Sequence, residues 1–100
     1  MGLRHVVMFR WNDAADEAGR RAVAEALEGL PAQIPQILQY RFGPDVGVTD
    51  GNWDFAVVAD FADHADYEIY RDHPAHQAVI AERVRPLVAQ RAAVQMLTED

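Results

Sequence analysis

Residues 53–61 alternate without a break: Trp53, Phe55, Val57, Ala59 and Phe61 fall on one side, and Asp54, Ala56, Val58 and Asp60 on the other. A period of two belongs to an extended strand, whose successive side chains point to opposite faces. Leu3–Trp11 repeats the pattern, with Leu3, His5, Val7, Phe9 and Trp11 on one face and Arg4, Val6, Met8 and Arg10 on the other. Both faces of this second strand are apolar at the centre, so both should be covered. Two such strands, separated by some forty residues of helical and turn signals, commit the chain to a sheet closed by crossovers.

The intervening segments set the order. Asp16–Leu30 reads as a helix with Val23, Ala26, Leu27 and Leu30 as its buried stripe, stopped by Gly29 and Pro31. Ile37–Gly43 reads as a strand interrupted by Gln39 and Arg41, and Asp45–Asn52 as a polar, glycine-containing loop. Asp63 caps a short helix through Tyr70, and Pro74 opens a longer one to about Val88, with Pro86 inside it to kink or shorten it. Val94–Leu97 reads as a last short strand, and Thr98–Asp100 as a frayed acidic tail. The result is α+β: a ferredoxin-like βαββααβ order with a four-stranded antiparallel sheet and both crossovers on one side. The opposite face is then bare. It carries Val6, Met8, Ala56 and Val58, with Arg4, Arg10, Asp54 and Asp60 toward its ends. An apolar centre with a charged rim suits a homodimer formed sheet to sheet.

Composition narrows the function. One hundred residues form one domain, 1–100, whose limited core favours a partner subunit. Sixteen acids against nine bases, a net charge of −7, argue against nucleic acid. Cysteine and serine are absent, which removes thiolate and serine nucleophiles. There is no glycine-rich phosphate loop. The apolar runs are too short for a bilayer, no membrane partner is expected, and no signal peptide is visible, so the expected location is cytoplasmic.

The chemistry concentrates in Tyr70-Arg71-Asp72-His73-Pro74-Ala75-His76. One helix should end near Arg71 and the next begin at Pro74, which puts His76 in a first turn. The partial positive charge there disfavours protonation and leaves a neutral imidazole able to accept a proton. Tyr70 is placed to donate its phenol hydrogen to a developing oxyanion. Each also has a plainer reading: His76 as the bond that fixes the corner, Tyr70 as a ring packed under the sheet. His5, alone among apolar neighbours, is a satisfied core residue or the polar point of a pocket. His73 reads as a helix cap and His64 as a solvent residue. His73 and His76 lack a third metal ligand, and Asp50, Asn52 and Asp54 fail the calcium-loop spacing, so no metal is expected.

Several stretches together resemble the stress-responsive A/B barrel (Dabb) family. They are Arg4–Trp11, Leu30–Pro35, Trp53–Phe61, Tyr67–Tyr70, His73–His76 and Arg85-Pro86-Leu87, in order and over nearly the whole chain. The resemblance implies a ferredoxin-like subunit paired into a dimeric α+β barrel. It also implies a comparison with the plant polyketide cyclase among its members, which closes a linear polyketide by aldol condensation without a cofactor. By that resemblance Tyr70 and His76 are the catalytic pair and His5 is a pocket residue; Val7, Phe9, Phe55 and His73 are expected to line the small-molecule pocket with it. The cyclase has a further histidine where Phe55 stands here, so its substrate does not carry over. Two alternatives stay open: a non-catalytic stress or assembly protein, and a cofactor-independent oxygenase.

Overall fold

β1 (Gly2–Trp11) and β3 (Phe55–Phe61) pair antiparallel, with Val7 opposite Val57 and Val6 opposite Val58. β2 (Gln39–Pro44) adds to the far side of β3, and β4 (Val88–Thr98) to the far side of β1. The structure, a computed structural model, describes residues 1–99; Asp100, the end of the expected frayed tail, lies outside them. The strand order is β2-β3-β1-β4, with every neighbouring pair antiparallel. This is the ferredoxin-like sheet that the element order predicts.

The helices lie on the face carrying Leu3, Val7, Phe9, Phe55, Val57 and Phe61, all buried. α1 (Glu17–Glu28) starts where the Asp16 side chain accepts from the Gly19 amide at 2.7 Å. Gly19 is the point of closest approach, since a Cβ there would lie 3.0 Å from Leu87 Cδ1. Pro31 does not end the helical segment as the sequence suggests. It sits in the first turn of a separate short helix, α2 (Leu30–Gln33), which buries Leu30 and leads into the buried Ile34. α3 (His64–Asp72) is capped by Asp63, whose side chain accepts from the Asp66 amide at 2.9 Å. α4 (Pro74–Val79) follows directly.

Several boundaries differ from expectation, and β2 begins at Gln39 rather than Ile37 and ends at Pro44 rather than Gly43. The long helix from Pro74 stops being α-helical after Val79, passes through a π-helical turn at Ile80–Val84 and ends in a 3-10 turn at Arg85–Leu87. Pro86 has no amide hydrogen and its ring excludes a regular turn before it. The Arg85 amide reaches back five residues to the Ile80 carbonyl, which is the wider ring of a π turn. Asn12 then fixes the segment's end, its amide bonding the Leu87 carbonyl and its side chain the Pro86 carbonyl. β3 begins at Phe55 rather than Trp53, because the Asp54 carboxylate accepts from the Trp11 amide in place of a ladder bond. β4 is eleven residues long, starts at Val88 rather than Val94, and includes Thr98, which pairs with Gly2.

The other sheet face carries Val6, Met8, Ala56 and Val58, joined through register by Ala92, Val94 and Met96 of β4. Met8, Val94 and Met96 are exposed there. Arg4 and Asp60 form a two-pronged ion pair on this face at 2.8 and 3.0 Å. The β2–β3 loop is held by Asp45, which accepts from the Gly47 amide and from Asn52, while Gly47 and Gly51 take positive φ. No helix among the described residues is long and apolar enough to cross a membrane.

Candidate functional site

The corner between α3 and α4 builds the site. Pro74 forces the break, and His73 caps α4 by accepting from the Ala75 amide at Nδ1, 3.0 Å away. One turn on, His76 Nδ1 lies 3.0 Å from the Arg71 carbonyl oxygen. A carbonyl only accepts, so His76 carries its proton on Nδ1 and leaves Nε2 as a bare acceptor. Burial holds the His76 pKa below its ordinary value, with the Arg91 charge adding to it and the bond to Arg71 opposing it. The helix terminus predicts that direction, but burial is the larger cause.

The Tyr70 ring stacks beside the His76 ring, with centroids 4.1 Å apart and planes at 30°. Its hydroxyl is 2.9 Å from the Tyr40 hydroxyl on β2. Burial raises both phenol pKa values, Tyr40 to about 12, so both hydroxyls stay protonated. In such a pair one hydroxyl donates to the other, and the second proton is available to a third group. Tyr70 is therefore half of a two-phenol donor, and sequence spacing gives no sign of Tyr40 as its partner.

His5 points to the helix side with Val7 and Phe9. It is 4 % exposed and lies against Tyr67, ring centroids 5.0 Å apart. Gln95 on β4 donates its amide N–H to His5 Nδ1 at 2.8 Å, so neutral His5 is protonated on Nε2, the opposite tautomer to His76. Burial, then the charges of Arg91 and His76, push His5 down to about 4 from 6.5. Below pH 6.5 the unfolded chain therefore binds a proton that the folded chain refuses. Stability should fall as pH drops from 6.5 toward 4, by about 3 kcal/mol in all. Urea unfolding of the wild type and of His5→Gln over this range checks it. The variant should lose the His5 share of the slope, and parallel curves would remove this role.

His5, Tyr40, Tyr70 and His76 line one inner cavity of about 60 Å³, floored by Val7 and Phe9. A wider cleft of about 350 Å³ opens beside it over Phe9, Ile80, Val84 and Val88. His76, Arg71 and Arg91 line both, so His76 stands where the two meet. Two expected pocket residues fall elsewhere. His73 lines neither space, because its ring is turned back to cap α4. Phe55 packs among Phe9, Trp11 and Phe42 in the core. The residues that sequence reasoning missed, Tyr40, Arg91 and Gln95, come from β2 and β4 and meet the corner only through strand order. Among the described residues no three metal-ligating side chains gather.

Residues 3–97 match the model of the Stress responsive A/B Barrel Domain family, Dabb. An uncharacterized protein of Streptomyces coelicolor is 32% identical over 81 residues, covering 79% of this chain and 84% of that one. A dimeric ferredoxin-like protein of unknown function from Thermobifida fusca superposes with a TM-score of 0.92 at 45% identity, over 98% of this chain and 92% of that chain. A hydroxynitrile lyase from Passiflora edulis shares the fold, with a TM-score of 0.84 at 16% identity over 99% of this chain and 95% of its own. The motifs, the sheet order and these likenesses converge over nearly the full length, and the chain belongs to the stress-responsive A/B barrel (Dabb) family.

Proposed function

We propose that this chain is a homodimeric small-molecule enzyme that transfers protons without a cofactor, in the manner of a polyketide cyclase. The observation that carries this reading is the tautomer of His76: its Nδ1–H is committed to the Arg71 carbonyl, which leaves Nε2 a free base on the cavity wall. In the reaction, His76 Nε2 takes a proton from a carbon next to a carbonyl, and the C–H pair of electrons moves to the carbonyl oxygen. The Tyr40–Tyr70 hydroxyl pair donates a hydrogen bond to that enolate oxygen. The enolate carbon then attacks a second carbonyl of the same molecule, a C–C bond forms, and the new alkoxide takes back the proton held by His76. His5, kept neutral by burial, offers its Nε2–H to substrate or water.

The dimer is formed through the bare sheet face. The support is the exposed apolar set Met8, Val94 and Met96 around Val6 and Val58, together with the dimeric Thermobifida fusca protein at 45% identity.

Deuterium exchange into an aryl β-keto ester, followed by NMR in D2O, tests the chemistry. Wild-type protein should speed exchange of the α protons well above a buffer control of equal pD. No acceleration by folded protein would favour the assembly-protein reading, in which the corner only shapes the fold.

A further inference from the structure

The wider cleft has a charge character opposite to that of the molecule. The chain carries a net charge of −7, yet the cleft is lined by Arg71, Arg85 and Arg91 and by no carboxylate. Arg71 is already engaged, bonded to Asp72 through two nitrogens and paired with Glu68. Arg85 and Arg91 form no ion pair with any described residue. They stand on different elements, Arg85 in the 3-10 turn and Arg91 on β4, and approach the same space from two sides. Between them the floor is apolar, made of Phe9, Ile80, Val84 and Val88.

A cleft of about 350 Å³ is at the small end of the size that holds a small organic ligand. Apolar floor and unpaired guanidinium groups ask for a ligand with an apolar body and a negative end. A guanidinium offers parallel N–H donors in a planar fork, which a carboxylate matches in shape as well as charge. In a molecule whose overall field repels anions, only a local arrangement of this kind draws one in.

We propose that the cleft selects a carboxylate-bearing substrate with an aromatic or alicyclic body, its carboxylate held by Arg85 and Arg91 and its body lying on Phe9, Ile80, Val84 and Val88. This deepens the proton-transfer reading, because His76 stands at the junction of the cleft and the inner cavity. A substrate anchored by its carboxylate in the cleft presents its far carbons to Nε2. Arg91 then has two effects. It fixes the anion, and its charge opposes protonation of both His76 and His5.

The test is a matched pair of probes, phenylacetate and its neutral isostere phenylacetamide, titrated into wild type, Arg85→Gln, Arg91→Gln and the double variant. The shift of the His76 ring signals in NMR is the readout, with exposed His64 as the internal control. Wild type should bind the carboxylate about tenfold more tightly than the amide, the range of a charge-assisted hydrogen bond. Each single variant should reduce that preference, and the double variant should bring it within twofold. Equal affinity of the two probes for wild type, binding of neither at millimolar concentration, or a preference that survives the double variant overturns the proposal. His76→Ala, read through the Tyr70 ring signals, separates the two readings. In that variant the acid–base reading expects the carboxylate preference kept and proton exchange lost, whereas a wild type that keeps the preference and exchanges no protons would end the acid–base reading and leave this one standing.

Discussion

His76→Ala should lower the rate of α-proton exchange by about 10²–10⁴-fold, the usual contribution of a positioned general base. The fold should survive. His76 lies in the first turn of a six-residue helix, where alanine is well tolerated. The Arg71 carbonyl that loses the imidazole still accepts from the Gln77 side chain, so no buried acceptor is orphaned. Far-ultraviolet circular dichroism and the thermal midpoint should therefore change little. In the wild type the rate should hold from neutral pH to below pH 6.5, the ordinary histidine value, because burial depresses the His76 pKa, and then decline as Nε2 is protonated. Tyr70→Phe should cost less than His76→Ala, since the Tyr40 hydroxyl remains in the cavity and the ring contact with His76 persists. A folded His76→Ala protein with less than a tenfold loss would remove His76 as the base.

Met8→Asp should convert a two-chain particle into single chains. Met8 lies at the centre of the bare face, between Ala56 and Ala92 in the register. In an interface with twofold symmetry each substitution enters twice. At about 2–3 kcal/mol for each polar group buried without a partner, the dissociation constant should rise by about 10³–10⁴-fold. Light scattering at micromolar concentration reads this directly, and a conservative Met8→Leu should remain paired. Single-chain mass for the wild type would remove the dimer.

How far these residues could be read from the chain depended on how each is covered. β1 and β3 sit at the centre of the sheet under the helices, so burial imposes strict alternation on Leu3–Phe9 and Phe55–Phe61 and the pattern is legible. β4 is an edge strand with little over it, and its first half, Val88-Ala89-Gln90-Arg91-Ala92-Ala93, shows no alternation to read. Arg91 and its place in the cleft wall went unseen with it. The α3–α4 corner was legible because proline and the capping side chains act locally. Tyr40 and Gln95 were not, since their contacts with Tyr70 and His5 span 30 and 90 residues and exist only once the strands are ordered. Pro86 signalled a break in regular helix. What it could not signal was that the chain would widen one turn ahead of it.

That widened turn has a consequence for how such a cleft changes over time. Ile80 and Val84 reach the cleft from the π turn, whose hydrogen-bonded ring holds one residue more than an α-helix allows, and Arg85 from the tighter 3-10 turn that follows it. Its ends are anchored, at one side by α4 and at the other by Asn12. Removing a single residue between those anchors would restore ordinary winding and turn side chains within the segment by about 100° around the axis. The share of the cleft lining that comes from Ile80, Val84 and Arg85 would be exchanged, with the sheet and the His76 corner left in place. On the proposed reading, ligand preference would then depend on the length of this segment as well as on residue identity, and a one-codon deletion there would be a larger step than one substitution among those three residues.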